Sequence, residues 1–373
     1  MGRLYGLIVF VQILLMTYTY FFVRRVLRFY GVDVHKWYGL LLPAIPALIL
    51  FSVSGSIWNT GFLISMHLVG LSLVTDIAAF IARHLFRHAQ SAAVYRFGHM
   101  VYRCGVLPFL LTAVVMLYGY YNMNHIIRTD YTVKTEKAVS EYTVVLLSDI
   151  HFGTIQPKKL LKEKAAEISA LNPDIVILCG DIVEEGTSRE SMSEVFEILG
   201  NIPTRYGVYY VFGNHDRQTY KANKTYTTQE LEEEIAGHGI RILCDERVEI
   251  AGEITLAGRE DARWGNTAKR MSADSLLSGV DTKTFVIVAD HQPIEYRECA
   301  ESGADLELSG HTHAGQIWPV GIFTTLSGNL NYGLYHREGI DVIVSSGIAG
   351  WGYPVRTGEH CEYVVVHIVP EAK

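Results

Sequence analysis

Residues 143–151 read TVVLLSDIH. An aliphatic run this short, closing on Asp149-x-His151, is the pattern of a strand buried on both faces with a polar exit. The same phrase recurs along the chain: DIVILCGD (174–181), GVYYVFGNHD (207–216), TFVIVAD (284–290) followed by His291, and DLELSG (305–310) followed by His311-x-His313. DVIVSS (341–346) and EYVVVHIV (362–369) are further strands, and weaker ones fall near 240–244, 247–250 and 253–257. Helical segments lie between them. Residues 157–171 are amphipathic, with Pro157 at the first turn and Asn172-Pro173 beyond the end. Thr187 with Glu190 and Thr227 with Glu230 have capping-box spacing, before helices that Gly200 and Gly237 close, and another helix starts from Pro293. Strand–helix alternation followed by strand-rich stretches predicts a layered α/β fold, two sheets packed together with helices outside.

The polar exits carry the chemistry. In chain order they are Asp149-x-His151, Gly180-Asp181, Gly213-Asn214-His215-Asp216, His291 and Gly310-His311-x-His313. Each follows an apolar run, so all can converge on the rim where α/β proteins build their sites. A lone strand-end Asp commonly caps a turn and a lone His is commonly a hydrogen-bonded core residue. Five groups in this order exceed that explanation. Carboxylates, imidazoles and an amide outnumber the needs of one metal, and mixed N/O ligation suits zinc, iron or manganese. Two ions sharing a carboxylate would clamp a phosphoryl group and lower the pKa of a bound water, for attack on phosphorus. A protonated imidazole could then donate to the leaving oxygen.

DIH, GD, GNHD, a single His and GHTH in this order resemble the calcineurin-like metallophosphoesterases over roughly residues 142–369. GHTHAGQ (310–316) and GIAGWGYPVRTG (347–358) are similar to a bacterial branch with N-terminal membrane helices. The resemblance implies a two-sheet β-sandwich flanked by helices and two divalent ions. It implies that Asp149, His151 and His313 hold the first metal, Asp181 bridges, and Asn214, His291 and His311 hold the second. By the same likeness His215 is the acid and Asp216 orients it. His291 departs from the commoner context, standing in ADHQP, although the His-x-Pro spacing survives. Arg217 and Arg356, in nearby loops, are expected to contact substrate phosphate, because a guanidinium matches phosphate bidentately. Cys179 is expected to be a small core residue.

Residues 1–127 are a different kind of sequence. Nine Lys/Arg stand against two acids there, whereas residues 128–373 hold 23 bases and 37 acids. So acidic a C-terminal part argues against nucleic acid as a partner. Residues 4–23 contain no charge, and at 1.5 Å per residue they are about 30 Å of helix, the thickness of a bilayer core. Charge is also absent over 37–75 and 104–127. Breaking the longer run at Asn59-Thr60-Gly61 gives four expected transmembrane spans, 4–23, 38–58, 62–82 and 104–124, ahead of a phosphoesterase domain over 128–373. Arg24-Arg25 after the first span, in place of a small-residue cleavage site, argues against a signal peptide. Asp76 and His67, inside the third span, are expected to be structural. Five widely spaced cysteines indicate neither a zinc ribbon nor a disulfide scaffold.

Lys/Arg cluster between spans one and two (Arg24, Arg25, Arg28, Lys36) and between spans three and four (Arg83, Arg87, Arg96, Arg103). The positive-inside rule places both loops in the cytoplasm and the catalytic domain outside. The expected protein is therefore a multi-pass membrane phosphoesterase acting on a lipid-linked or cell-envelope phosphoester at the bilayer. The alternative is a UDP-sugar-lipid pyrophosphate hydrolase on the cytoplasmic face. A non-catalytic relative would have lost ligands, and a transporter would show a polar pathway.

Overall fold

The computed structural model describes residues 2–53, 60–88, 92–262 and 270–371, and the chain divides into two units, Met1–Tyr118 and Gly119–Lys373.

The first unit is helical: α1 (Gly2–Phe29), α2 (Trp37–Leu41), α3 (Ala44–Val53), α4 (Thr60–Leu85), α5 (Ala93–Cys104) and the start of α6 (Val106–Met123). Among the described residues three helices are long and apolar enough to cross a membrane: α1 over Val9–Phe29, α4 and α6. The span expected over 38–58 is two short helices in its described part. Pro43 falls between them and Pro46 enters the first turn of α3, and neither has an amide hydrogen for a continuous ladder. Residues 54–58 and the expected break at Asn59 lie outside the described residues. Helix α5 was not expected. It stops at Gly105, which takes the left-handed conformation (φ 74°) that glycine adopts without strain, so the last candidate span begins at Val106.

Asp76 forms an ion pair with Arg25 and accepts a hydrogen bond from the Tyr18 hydroxyl at 2.7 Å. One level earlier on both helices, Leu15 and Val69 share a cluster with Leu50. Contacts that advance together along both sequences mean that α1 and α4 run parallel. His67 Nδ1 pairs with the Leu63 carbonyl at 2.9 Å, one turn back.

In the second unit, sheet one has the order β1 (Ile126–Thr135), β12 (Cys361–Pro370), β2 (Tyr142–Leu147), β3 (Ile175–Cys179), β4 (Val208–Val211), β5 (Arg241–Ile242). Sheet two runs β10 (Gly333–Arg337), β11 (Ile340–Val344), β9 (Leu306–Ser309), β8 (Phe285–Ala289), β7 (Ile254–Gly258), β6 (Glu246–Ile250). Strands β2 to β5 are mutually parallel, as are β7, β8, β9 and β11. Side chains alternate along the central strands, and in β3, β4, β7, β8 and β9 both sets are buried. Val144, Leu146, Ile175 and Ile177 meet Leu256, Ile287, Leu306 and Leu308 between the sheets. Val145, Leu147, Val176 and Leu178 pack outward on α7 (Lys158–Ala170), α8 (Arg189–Gly200) and α9 (Thr228–Gly237). On the far side, Val286, Val288 and Val342 meet α10 (Ala273–Leu277) and α11 (Tyr296–Glu301). Burial on both faces is why these strands read as unbroken apolar runs.

The sandwich agrees with the expected fold class, with differences at element ends. Helix α8 is capped by Ser188, whose hydroxyl accepts from Ser191 N–H. Thr187 instead accepts from Glu184 N–H at 3.0 Å and donates to the Phe152 carbonyl, so the expected capping box there does not form. Thr227 and Glu230 do form one. Strand β1 was not expected, and it pairs along its whole length with β12. A further short helix, α12 (Val320–Leu326), follows the His311-x-His313 segment.

Candidate metal centre

Each polar exit leaves a parallel strand at its C-terminal end: Asp149 and His151 after β2, Asp181 after β3, Asn214 and His215 after β4, His291 after β8, His311 and His313 after β9. Turning side chains back over that rim requires unusual backbone. Asp149, His151, Asp181, His311 and His313 have φ of 52°, 44°, 53°, 70° and 48°. For a non-glycine residue such conformations cost on the order of 1–3 kcal/mol each and persist where function holds them. The neighbouring glycines make room. A Cβ on Gly310 would stand 2.3 Å from the Asp149 carboxylate, and one on Gly213 would stand 2.2 Å from that of Asp181.

Two groups of donors result. Asp149, His151 and His313 each offer a ligand atom within 4.8 Å of the others, and so do Asp181, His291 and His311. Asp181 stands between the groups, its Oδ2 lying 3.2 Å from His291 Nε2 and 4.0 Å from His151 Nε2. Main-chain groups aim the side chains. Asp149 accepts from His311 N–H at 2.9 Å, and Asp181 Oδ1 from His215 N–H at 2.8 Å. His291 Nδ1 pairs with the Cys179 carbonyl at 2.8 Å and His313 Nδ1 with that of Ala349 at 3.2 Å, which leaves Nε2 of each ring for another partner. Nε2 of His151, Nε2 of His291 and Oδ1 of Asn214 are buried with no hydrogen-bond partner among the described residues. Buried polar atoms left this way are costly unless a cation completes them. The residues present fit a pair of divalent ions.

Burial would raise Asp181, but the imidazoles of His291 and His215 overrule it and hold its carboxyl well below the usual range, while burial lowers His291 and Asp181 in turn lifts it well above the usual imidazole value. Burial lowers His311 to about 4 and His313 to about 3, so both are neutral imidazoles with a lone pair to give. Burial also opposes protonation of His215, yet Asp181 and Glu185 outweigh it and lift this ring to about 9. His215 therefore carries a proton at neutral pH. Its ring centroid lies 5.5 Å from that of His151, beside the first group.

Three expectations are corrected. Asp216 does not touch the His215 ring: its carboxylate accepts from the amides of Gly213, Asp181, Ile182 and Val183, clamping two motif loops together. The partner of His215 is Glu185, with Oε2 2.6 Å from Nδ1. Arg356 is fully buried, and its two terminal guanidinium nitrogens donate to the carbonyls of His313, Ser346, Ala349 and His360. Arg217 lies over the Phe212 ring at 3.6 Å and pairs with Glu260 at 2.5 Å. Neither arginine has a guanidinium free for substrate phosphate. Sequence reasoning missed Glu184, 3.3 Å from His151 Nδ1, and Glu185. Adjacent carboxylates just beyond Gly180-Asp181 were the available signal. It also missed Tyr220 and Trp351, whose rings flank His215 with centroids at 5.1 and 5.0 Å.

A two-sheet sandwich carrying two histidine–carboxylate groups about a shared aspartate defines the class of metal-dependent phosphoester hydrolases. The model of the calcineurin-like phosphoesterase family matches residues 142–315. A metallophosphoesterase of Aquifex aeolicus is 30% identical over 250 residues, 64% of this chain and 90% of that protein. A zebrafish (Danio rerio) transmembrane protein with a metallophosphoesterase domain is 31% identical over 280 residues, 70% of this chain and 62% of that one. A Helicobacter pylori metallophosphoesterase is 30% identical over 241 residues, covering 63% and 62%. The chain belongs to the calcineurin-like phosphoesterase family. It spans about 62% of the length of the zebrafish and Helicobacter relatives.

Proposed function

We propose that the protein is a membrane-anchored phosphoester hydrolase that uses two divalent ions, manganese, iron or zinc, on a lipid-linked or envelope phosphoester. One observation carries the reading: two donor groups meet at Asp181, with the His215 ring and its Glu185 partner alongside. Asp149, His151 and His313 would hold one ion, and Asn214, His291 and His311 the other, with Asp181 shared. Bound there, the ions supply Lewis-acid charge against the phosphoryl oxygens and a nucleophilic water. The protein's own part is to orient and to move a proton. His215, held through Nδ1 by Glu185, keeps its other ring nitrogen for the leaving oxygen. Tyr220 and Trp351 bound the space around it.

The lipid-linked substrate is supported by three helices of spanning length in the same chain. Four crossings, with the expected one over 38–58 among them, would put the N-terminus and the phosphoesterase domain on one side, opposite the basic ends of α1 and α4, and hence outside by the positive-inside rule. Metal analysis of the full chain, then chelation and add-back with a chromogenic phosphodiester, tests the chemistry. Full hydrolysis by metal-free protein would overturn it.

A further inference from the structure

Helix α12 breaks the pattern of its domain. The phosphoesterase unit is strongly charged, yet no Asp, Glu, Lys or Arg occurs from Leu308 to His336. Within that stretch Trp318, Phe323 and Leu326 are 63%, 62% and 77% exposed, and Val320 and Ile322 are exposed beside them. Positions 320, 323 and 326 share one helix face. The hydroxyls of the helix are satisfied within it: Thr324, Thr325 and Ser327 donate to the carbonyls of Val320, Gly321 and Phe323, one turn back. Internal pairing of this kind is what a lipid environment favours in a helix.

The position of this face names its occupant. Gly119–Met123, the end of α6 that belongs to this unit, is fastened to the loop 355–359. Gly119 O accepts from Arg356 N–H at 2.9 Å, and Asn122 Nδ2 donates to the carbonyls of Arg356, Gly358 and Glu359. That loop in turn holds the segment leading to α12. Thr357 and Gly358 N–H donate to Gln316 O at 3.0 and 2.9 Å, and Trp318 N–H donates to Thr357 Oγ1 at 3.1 Å. The exposed apolar face thus begins one hydrogen-bonded layer from the point where a spanning helix ends. Trp318 stands where tryptophan favours the headgroup interface.

We infer that α12 is a membrane-docking element that sinks Trp318, Val320, Phe323 and Leu326 into the bilayer interface near Gly119–Met123, the end of α6. It rests on the reading of α6 as a membrane span and deepens the proposed function. His313 lies seven residues before the helix, so docking holds the metal centre at the bilayer surface, in reach of phosphoesters that stay embedded in it.

The test uses the full chain in vesicles of phosphatidylethanolamine and phosphatidylglycerol, with a nitroxide on Phe323→Cys, on Leu326→Cys, or on a control, Glu233→Cys in α9. Collisions with lipid-soluble oxygen should exceed those with a water-soluble nickel chelate at 323 and 326, with the reverse at 233. Water exposure at all three sites overturns the proposal. So does spin–spin broadening between chains, which would make the face a contact with a second copy. The triple variant Val320→Ser/Phe323→Ser/Leu326→Ser should hydrolyse a vesicle-embedded phosphoester about tenfold more slowly, and a soluble nitrophenyl phosphodiester at the wild-type rate. An equal loss on both substrates also overturns it. Lipid contact at 323 and 326 in a chain that hydrolyses neither substrate would sustain the docking and reject the phosphoesterase reading instead.

Discussion

The Glu185 carboxylate lies 2.6 Å from Nδ1 of His215, closer than any other acid brought to that ring. With Asp181 it keeps the imidazole charged in a buried setting that would otherwise neutralise it. Replacing Glu185 by Gln removes charge and keeps shape. Turnover should fall roughly tenfold on alkyl phosphodiesters, whose leaving oxygen needs a proton, and little on nitrophenyl ones. His215→Ala should lose about 10²–10⁴ on alkyl substrates. In both variants the bound metal should stay at the wild-type level. A metal lost with His215 would place it among the ligands.

Asp181 faces both donor groups, so Asp181→Asn should weaken both ions at once. Metal content by plasma spectrometry should drop further than for His313→Asn, which belongs to one group. Equal retention in the two variants would remove Asp181 from the shared position.

Arg356 acts as a buried tie between loops. Arg356→Met leaves carbonyls of four residues without their donors and should cost about 3 kcal/mol of stability, read by denaturant unfolding in detergent. The fraction that stays folded should bind substrate with unchanged KM. A raised KM at unchanged stability would return this arginine to the substrate.

Glu307 is buried against Asp290, and burial first, then that neighbour, pushes its carboxyl up to about 8. The unfolded chain releases this proton near 4.5 and the folded one only near 8. Unfolding therefore releases a proton in that window, and folding stability falls as pH rises through it. Glu307→Gln does not ionise and still accepts from the Ser309 hydroxyl. Its thermal stability relative to wild type should be level near the lower pH and improve steadily up to the higher. A constant difference across the window would show that Glu307 does not titrate there.

Parallel α1 and α4 make sidedness testable. A C-terminal alkaline phosphatase fusion should be active and a C-terminal green fluorescent protein fusion dark. The opposite pair of results moves the domain to the cytoplasmic face and favours a UDP-sugar-lipid pyrophosphate as substrate.

Much of this protein was legible in one dimension. Strands such as 144–147 and 175–179 are apolar at every position because they lie between two packed layers, and that pattern needs no partner to be read. The polar exits were legible for the same reason, since a charged group following such a run lands on the rim. Strand β1 was not: its alternation in IIRTDYTVKT takes meaning only from β12, more than 200 residues away. Helix α12 was hidden because its apolar residues resemble core until their exposure is known.

By itself, the order of DIH, GD, GNHD, His and GHTH pointed to the family and to the side of the sheets on which these residues gather. Tertiary structure alone decided which acid serves His215. Asp216 and Glu185 are both near in sequence or motif, but folding turns Asp216 onto four backbone amides and brings Glu185 to the ring. It likewise spent Arg356 on carbonyls and Arg217 on Glu260. The physical reason is the same in each case. Spacing along a chain determines which groups reach a region, whereas hydrogen bonding in a buried region pairs each group with whichever partner the packed backbone places at contact distance, and that partner can lie anywhere in the sequence.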